Sequence, residues 1–236
     1  MTQPPSASSG GAAPLSLGQR FVGMVLSPKA TFESVVSFPR WVGMLVLTTL
    51  IVTVVVGGFM VSPVGREVMI DQMRTQNPAM PVEQAERMAP IIGYVTLAAI
   101  PIMSPIIALF IAGVLMGVFA ITGGTASFKQ VLAVSVHAGV VSTVAGVINT
   151  IINYFRATSV NITSLAGLAQ AFEEKGFVAG FLSALDLSLI WWLLVLAIGM
   201  AVLYRRRTGT IFSAFLVVYL LIAVATGAFK AAFGGS

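Results

Sequence analysis

Few side chains in this sequence have the chemistry for a site, and those that do lie inside apolar runs. Asp186 is the single carboxylate within the stretch Phe177–Tyr204, and His137, the only histidine, is set within another, Phe128–Phe155. An acid and an imidazole inside a membrane are the pieces of a proton relay, because an intramembrane ionisable group is costly and tends to be kept for a reason. A third group is a stripe. Ser135, Ala138, Gly139, Ser142, Ala145, Gly146, Asn149 and Asn153 recur at three- and four-residue spacing, so they share one helix face. The candidate functional polar residues are therefore Asp186, His137, Ser142, Asn149 and Asn153. Each has a plainer role beside it. Asp186 could cap or pair at a helix start. His137, on a face with Val140, Val141, Val144 and Ile148, could be a hydrogen-bonded histidine. The stripe could be the packing face of a central helix, where small residues let backbones approach and Ser and Asn bond across the contact.

Known reaction centres are missing from the sequence. There is no cysteine and no second histidine, which excludes disulfides, thiolate metal sites and zinc sites built on several imidazoles. HExxH and the GxGD pattern of intramembrane aspartyl proteases do not occur. Glu173-Glu174 begins like the EExxxR motif of prenyl-protein-type proteases, but Val178 stands at the Arg position. Walker and Rossmann glycine patterns are absent, and Gly123-Gly124 reads as a turn. A non-enzymatic chain follows, with no catalytic residue, metal or cofactor expected.

The residues around these candidates are those of a membrane protein. Of 236 residues, 57% are apolar and only 9% charged, against roughly 25% charged in a soluble domain. The net charge of +5 belongs to the ends of apolar runs, as topology and anionic headgroups require; no nucleic-acid face is present. A crossing needs about 20 apolar residues. Five runs qualify, at 41–61, 90–121, 128–155, 177–204 and 210–229. The second is too long for one straight crossing and too short for two, so it predicts a tilted or kinked helix with Pro101 and Pro105 as kink points. Gly113 and Gly117 within it form a GxxxG pair, read as packing within the monomer. Trp191 and Trp192 lie too deep for an interfacial belt and read as core.

Between the runs, Gly65–Ala89 predicts two short amphipathic helices broken at Asn77–Pro81, the second continuing into the 90–121 run. Asn161–Lys175 places Leu165, Leu168 and Phe172 at helical spacing and predicts an interfacial helix. Ahead of the first run, residues 1–16 read as a disordered tail and 17–40 as a cytoplasmic interfacial segment. In that segment Ser27-Pro28 caps a short helix bearing Phe32, Val35 and Val36, and Arg40-Trp41 marks the membrane boundary. With the N-terminus inside, seven basic residues fall inside and six outside. The clustering of Arg205, Arg206 and Arg207 decides the orientation. These three arginines and Trp41 are the topology anchors, and the C-terminus is placed outside a cell (inner) membrane.

Three blocks carry a family likeness. They are Ser27-Pro28 with Phe32 and then Pro39-Arg40-Trp41, the turn Gly123-Gly124 leading to Ser127-Phe128-Lys129, and Leu185–Gly209 with its Trp191-Trp192 pair and Tyr204-Arg205-Arg206-Arg207. Together, over roughly 17–229, the chain resembles the Yip1 family in its bacterial branch. The resemblance implies an all-α polytopic domain over 41–233, with five membrane helices and a cytoplasmic N-terminus. Eukaryotic relatives act in vesicle traffic and in Golgi or ER membrane organisation, and bind Rab-type GTPases. Their acidic, aromatic N-terminal region with its DLAGP-like motif has no counterpart here, so a Rab-type partner is not expected. The partners expected instead are the lipid bilayer, other membrane proteins and further copies of the chain. Two functions are open: a protein that organises or recruits membrane proteins through the surfaces near Phe32 and Leu165, or a transporter or channel for ions, small solutes or lipid.

Overall fold

The computed structural model describes residues 14–166 and 176–233. Leu168 and Phe172 of the expected interfacial helix lie outside the described residues, as do residues 1–13 of the N-terminal tail. The chain is all-α, and five of its helices are long and apolar enough to cross a membrane. They are α3 (Val42–Val61), α5 (Val82–Ile121), α6 (Phe128–Arg156), α8 (Leu187–Tyr204) and α9 (Thr208–Phe233). Shorter helices are α1 (Leu17–Leu26), α2 (Pro28–Ser37), α4 (Pro63–Gln76) and α7 (Phe177–Ser183). The bundle has two ends. One, the arginine end, carries α1, α2 and the turn at Arg205–Arg207; the other carries α4 and Asp186.

Local sequence explains where these helices start. Ser16 and Gln19 form a capping box at α1, and Ser127 and Gln130 form another at α6. Each satisfies two backbone donors that a helix start would leave unpaired. Ser62 caps α4 by accepting the Gly65 N–H at 3.1 Å, with Pro63 at the first helical position. α5 is a single helix of 40 residues with Pro90, Pro101 and Pro105 inside it. At 1.5 Å per residue it is about 60 Å long against a hydrocarbon core of about 30 Å, so its first turns, with Glu83, Glu86 and Arg87, stand clear of the apolar span. α3 is interrupted by one π-helical turn, Thr53–Gly57.

The fourth apolar run is not one helix from 177 to 204. It is α7, a break at Ala184–Asp186, and α8. The break is invisible in hydropathy because Phe177–Leu185 is as apolar as α8 itself. It forms because Asp186 takes extended dihedrals and caps α8.

α6 lies at the centre and is the most buried of the five spans. It packs against α8 on one side and α3 and α5 on the other, while α9 packs on α7 and α8. The core is concentrated at the arginine end, and α1 and α2 are part of it. Met24, Phe32 and Val35 have no exposure and join Val131, Val134, Leu196 and Met200 in one cluster. The segment read as lying on the membrane surface is thus packed into the bundle, and the face of Phe32 cannot be a contact surface for a partner. Gly199 makes the socket. A Cβ there would stand 2.6 Å from Val134 Cγ1 and 2.8 Å from Phe32 Cε1, closer than carbon atoms approach. Burying a phenyl ring in such a socket stabilises by about 2–3 kcal/mol.

Two further expectations change. Gly113 and Gly117 are exposed, and a Cβ added to either meets nothing within 4 Å, so the GxxxG pair packs against nothing among the described residues. The stripe on α6 is divided. Ser135, Ala138 and Asn153 are buried, but Gly139, Ser142 and Gly146 face open space.

Candidate functional site

The polar candidates fall into separate places. At the arginine end, α1 delivers Arg20 into the bundle. Its Nη1 donates to Arg40 O at 2.6 Å and lies 3.2 Å from His137 Nε2. His137 has no exposure, and its Nδ1 stands 2.7 Å from Ala133 O. A guanidinium can only donate, so Nε2 is the acceptor and Nδ1 carries the proton that is given to Ala133. Arg20 is 9% exposed, and its Nε is buried without a partner among the described residues. Burial first, and then the Arg40 charge, pushes its pKa below the ordinary arginine value. In the sequence Arg20 is one of the seven basic residues that fall inside with the N-terminus in, and nothing more marks it as a site. The capping box at Ser16–Gln19 was the visible sign that a helix would carry it; its partner, far along the chain, left no local sign.

Beside this contact the turns of the arginine end interlock. Gly123 has φ +82°, a conformation open to glycine, and a Cβ on Gly124 would run into the Tyr204 ring. Tyr204 stacks on Phe119 with ring centroids 4.5 Å apart. Arg206 Nη2 donates to Thr122 O at 2.6 Å. Arg205 takes φ 52° at the end of α8, and the Arg206 N–H returns to Ala201 O at 3.0 Å, which closes the helix by satisfying a terminal carbonyl. Arg206, one of the three arginines expected as topology anchors, is thus a turn clamp. Trp41, also expected as an anchor, is half-buried against the core at the start of α3.

Asp186 is at the opposite end, at the first residue before α8. Its Oδ1 accepts from Ser188 N–H, Ser188 Oγ and Thr163 Oγ1, each at 2.7 Å, and its Oδ2 accepts from Asn161 Nδ2 at 2.7 Å. Its backbone N–H donates to Tyr219 Oη at 2.8 Å, and Tyr219 donates on to Ala184 O at 2.9 Å. Leu187 N–H reaches Thr163 O, and Leu165 N–H reaches Leu185 O. Asn149 is drawn into the same knot, its Oδ1 accepting from Ile162 N–H at 3.0 Å. Burial opposes the charge on Asp186, but the Ser188, Thr163 and Asn161 donors outweigh it and hold the carboxyl below the usual carboxylate range. Tyr219 was not singled out in the sequence; a tyrosine in an apolar run carries no mark of the backbone it will bridge.

Asp186 and His137 therefore do not meet. Ser142 stands apart from both, on a cleft between α3, α5, α6 and α8. Asn153 is buried, with its Oδ1 unpartnered among the described residues. No group of three or more His, Cys, Asp or Glu able to hold a metal occurs among the described residues.

The three sequence blocks that carried the family likeness meet at the arginine end, as Phe32 on Gly199, Arg40 under Arg20, and Gly124 against Tyr204. Comparison with protein families matches residues 22–228 to the Yip1 domain. The chain belongs to the Yip1 family. As a Yip1 domain it is similar to the membrane protein YknW of Bacillus subtilis (strain 168), at 27% identity over 191 residues, which cover 80% of this chain and 78% of that one. No solved structure matches this Yip1 domain.

Proposed function

We propose that this Yip1 domain is a non-enzymatic integral membrane protein that organises or recruits other membrane proteins, with its N-terminus and arginine end in the cytoplasm and its C-terminus outside the inner membrane. The observation that carries this is the use made of the polar groups found in its apolar runs. Asp186 and Asn149 are spent on one knot at one end, and His137 on Arg20 at the other. A proton or ion path needs such groups in sequence along a hydrated route, and these lie at opposite ends of the bundle, each tied to partners of its own.

What α1 and α2 offer outward suits recruitment. Their inner faces are locked into the core, while Val22 is 53%, Leu26 77% and Phe38 42% exposed. A rigid platform with apolar residues on its outer side loses little entropy on binding. Partner contact thus moves from the Phe32 face to the faces bearing Val22 and Leu26. Crosslinking and co-purification in native membranes test this. Leu26→Asp should lose partners that the wild type retains while the protein stays folded. Unchanged partners, with proton or solute flux in liposomes abolished by Asp186→Asn or Asn149→Leu, would favour a transporter instead.

A further inference from the structure

We infer that the cleft between α3, α5, α6 and α8 is a binding site for a neutral lipid, an apolar chain bearing an uncharged hydrogen-bond acceptor such as an ester oxygen. The cleft has a volume of ≈ 400 Å³, within the range of about 300–1,000 Å³ common to small-molecule sites. Thr49, Ser104, Ser135, Gly139, Ser142 and Trp192 are among its lining, and no charged residue or histidine is. It lies well inside the membrane: Ser135 and Ser142 are about 10 Å and 21 Å along α6 from Phe128. At that depth, with no countercharge, an ion or a charged headgroup would meet a large desolvation penalty. The chemistry of the lining selects a neutral molecule.

Its hydroxyls are of two kinds. Ser104 donates to Ile100 O at 2.8 Å, Ser135 to Val131 O at 3.0 Å and Thr143 to Gly139 O at 3.1 Å, so their protons are spent on their own helices. The hydroxyls of Ser142 and Thr49 have no hydrogen-bond partner among the described residues. Water does not reach that depth in lipid, and an unpaired hydroxyl there is unfavourable by about 1–3 kcal/mol. Two donors facing one cleft from α3 and α6 call for an acceptor on the occupant. The backbone is shaped to leave the room. A Cβ on Gly139 meets nothing within 4 Å, although α6 is otherwise the most buried span. α3 passes into its π-helical turn just beyond Val52, another residue of the lining. Such turns recur at functional sites.

Size separates a lipid from a second copy. Three turns of helix occupy roughly 1,200 Å³ as a cylinder about 10 Å across, three times the cleft. A helix could therefore lie only across its mouth and would leave the interior empty, whereas a single chain can enter.

The test uses the full-length protein in phosphatidylethanolamine–phosphatidylglycerol vesicles with a photoactivatable diacylglycerol as probe. Labelling is expected to concentrate on peptides containing Ser104–Ile111 and Ser135–Thr143, and unlabelled diacylglycerol should compete at least tenfold better than phosphatidylglycerol. Gly139→Leu should abolish that labelling, and Ser142→Ala should weaken it several-fold. Ser142→Phe, which fills the cleft from an exposed position, serves if Gly139→Leu does not fold. Labelling spread over lipid-facing residues such as Phe110 and Ile121 and untouched by these substitutions would overturn the assignment. So would equal competition by phosphatidylglycerol, or disulfide dimers forming through Ser142→Cys with the probe excluded, which would make the occupant a second copy.

Discussion

Arg20 and His137, 117 residues apart, meet with Nη1 and Nε2 at 3.2 Å. A cation thus enters a membrane bundle to meet a neutral imidazole, with a backbone carbonyl as its other partner. The contact ties α1 to α6, and through it the α1–α2 hairpin to the membrane bundle.

The pair should be energetically coupled. His137→Phe keeps the ring but leaves Arg20 with one partner, and should destabilise by about 2 kcal/mol. Arg20→Met in that background should be tolerated better than Arg20→Met alone. A double-mutant cycle by denaturant unfolding in detergent reads the coupling at about 1–2 kcal/mol. Strict additivity would mean that the contact contributes nothing.

The knot around Asp186 should behave as structure. Asp186→Ala removes a helix cap, worth about 1 kcal/mol, and the anchor for Asn161 and Thr163 as well. A total near 2–3 kcal/mol is expected, with Asp186→Asn milder and Tyr219→Phe about 1 kcal/mol. Hydrogen exchange of the 161–166 segment should quicken in Asp186→Ala, and an unchanged rate would show that the knot does not hold the loop.

The same residue gives a pH signature. Donors hold the Asp186 carboxyl below its ordinary value, so the charged form is favoured by folding. Its stabilisation is complete above the unfolded pKa, near about 4, and is lost as pH falls through the lower folded pKa. Thermal melts of the wild type should drop in this acid window by more than those of Asp186→Asn. Parallel curves would dismiss the linkage.

The socket for Phe32 should be intolerant of change from either side. Phe32→Ala should cost about 3–5 kcal/mol, and Gly199→Val, which drives a side chain into Phe32 and Val134, about 1–3 kcal/mol. Leu26→Asp, on the outer face of the same hairpin, should shift the melting temperature little. If Leu26→Asp were the more damaging, the hairpin would be packed the other way round.

How much of this was legible depended on range. The five spans could be read because each is an apolar run long enough to cross, and the Ser or Ser-Pro starts of α1, α2, α4 and α6 are local signals. The break at Asp186 was half legible. An aspartate two residues before Ser188 is a cap pattern, but the unbroken apolar run upstream masked it. The α6 stripe showed a face without showing what it faces, since Ser135 packs and Ser142 does not. Arg20, Tyr219 and the Phe32 socket depend on partners far away in the chain, and nothing in their own neighbourhoods announces them.

The Phe32 socket has a consequence in time. Gly199 belongs to the fourth span, 167 residues after Phe32, so all of that chain is made before the pocket for Phe32 exists. At about 5–20 residues per second, the N-terminal hairpin waits on the order of ten seconds or more with Met24, Phe32 and Arg20 undocked. The α1–α2 hairpin is thus made well before it can settle, and for that interval the growing chain presents a sticky, basic surface that the folded protein hides.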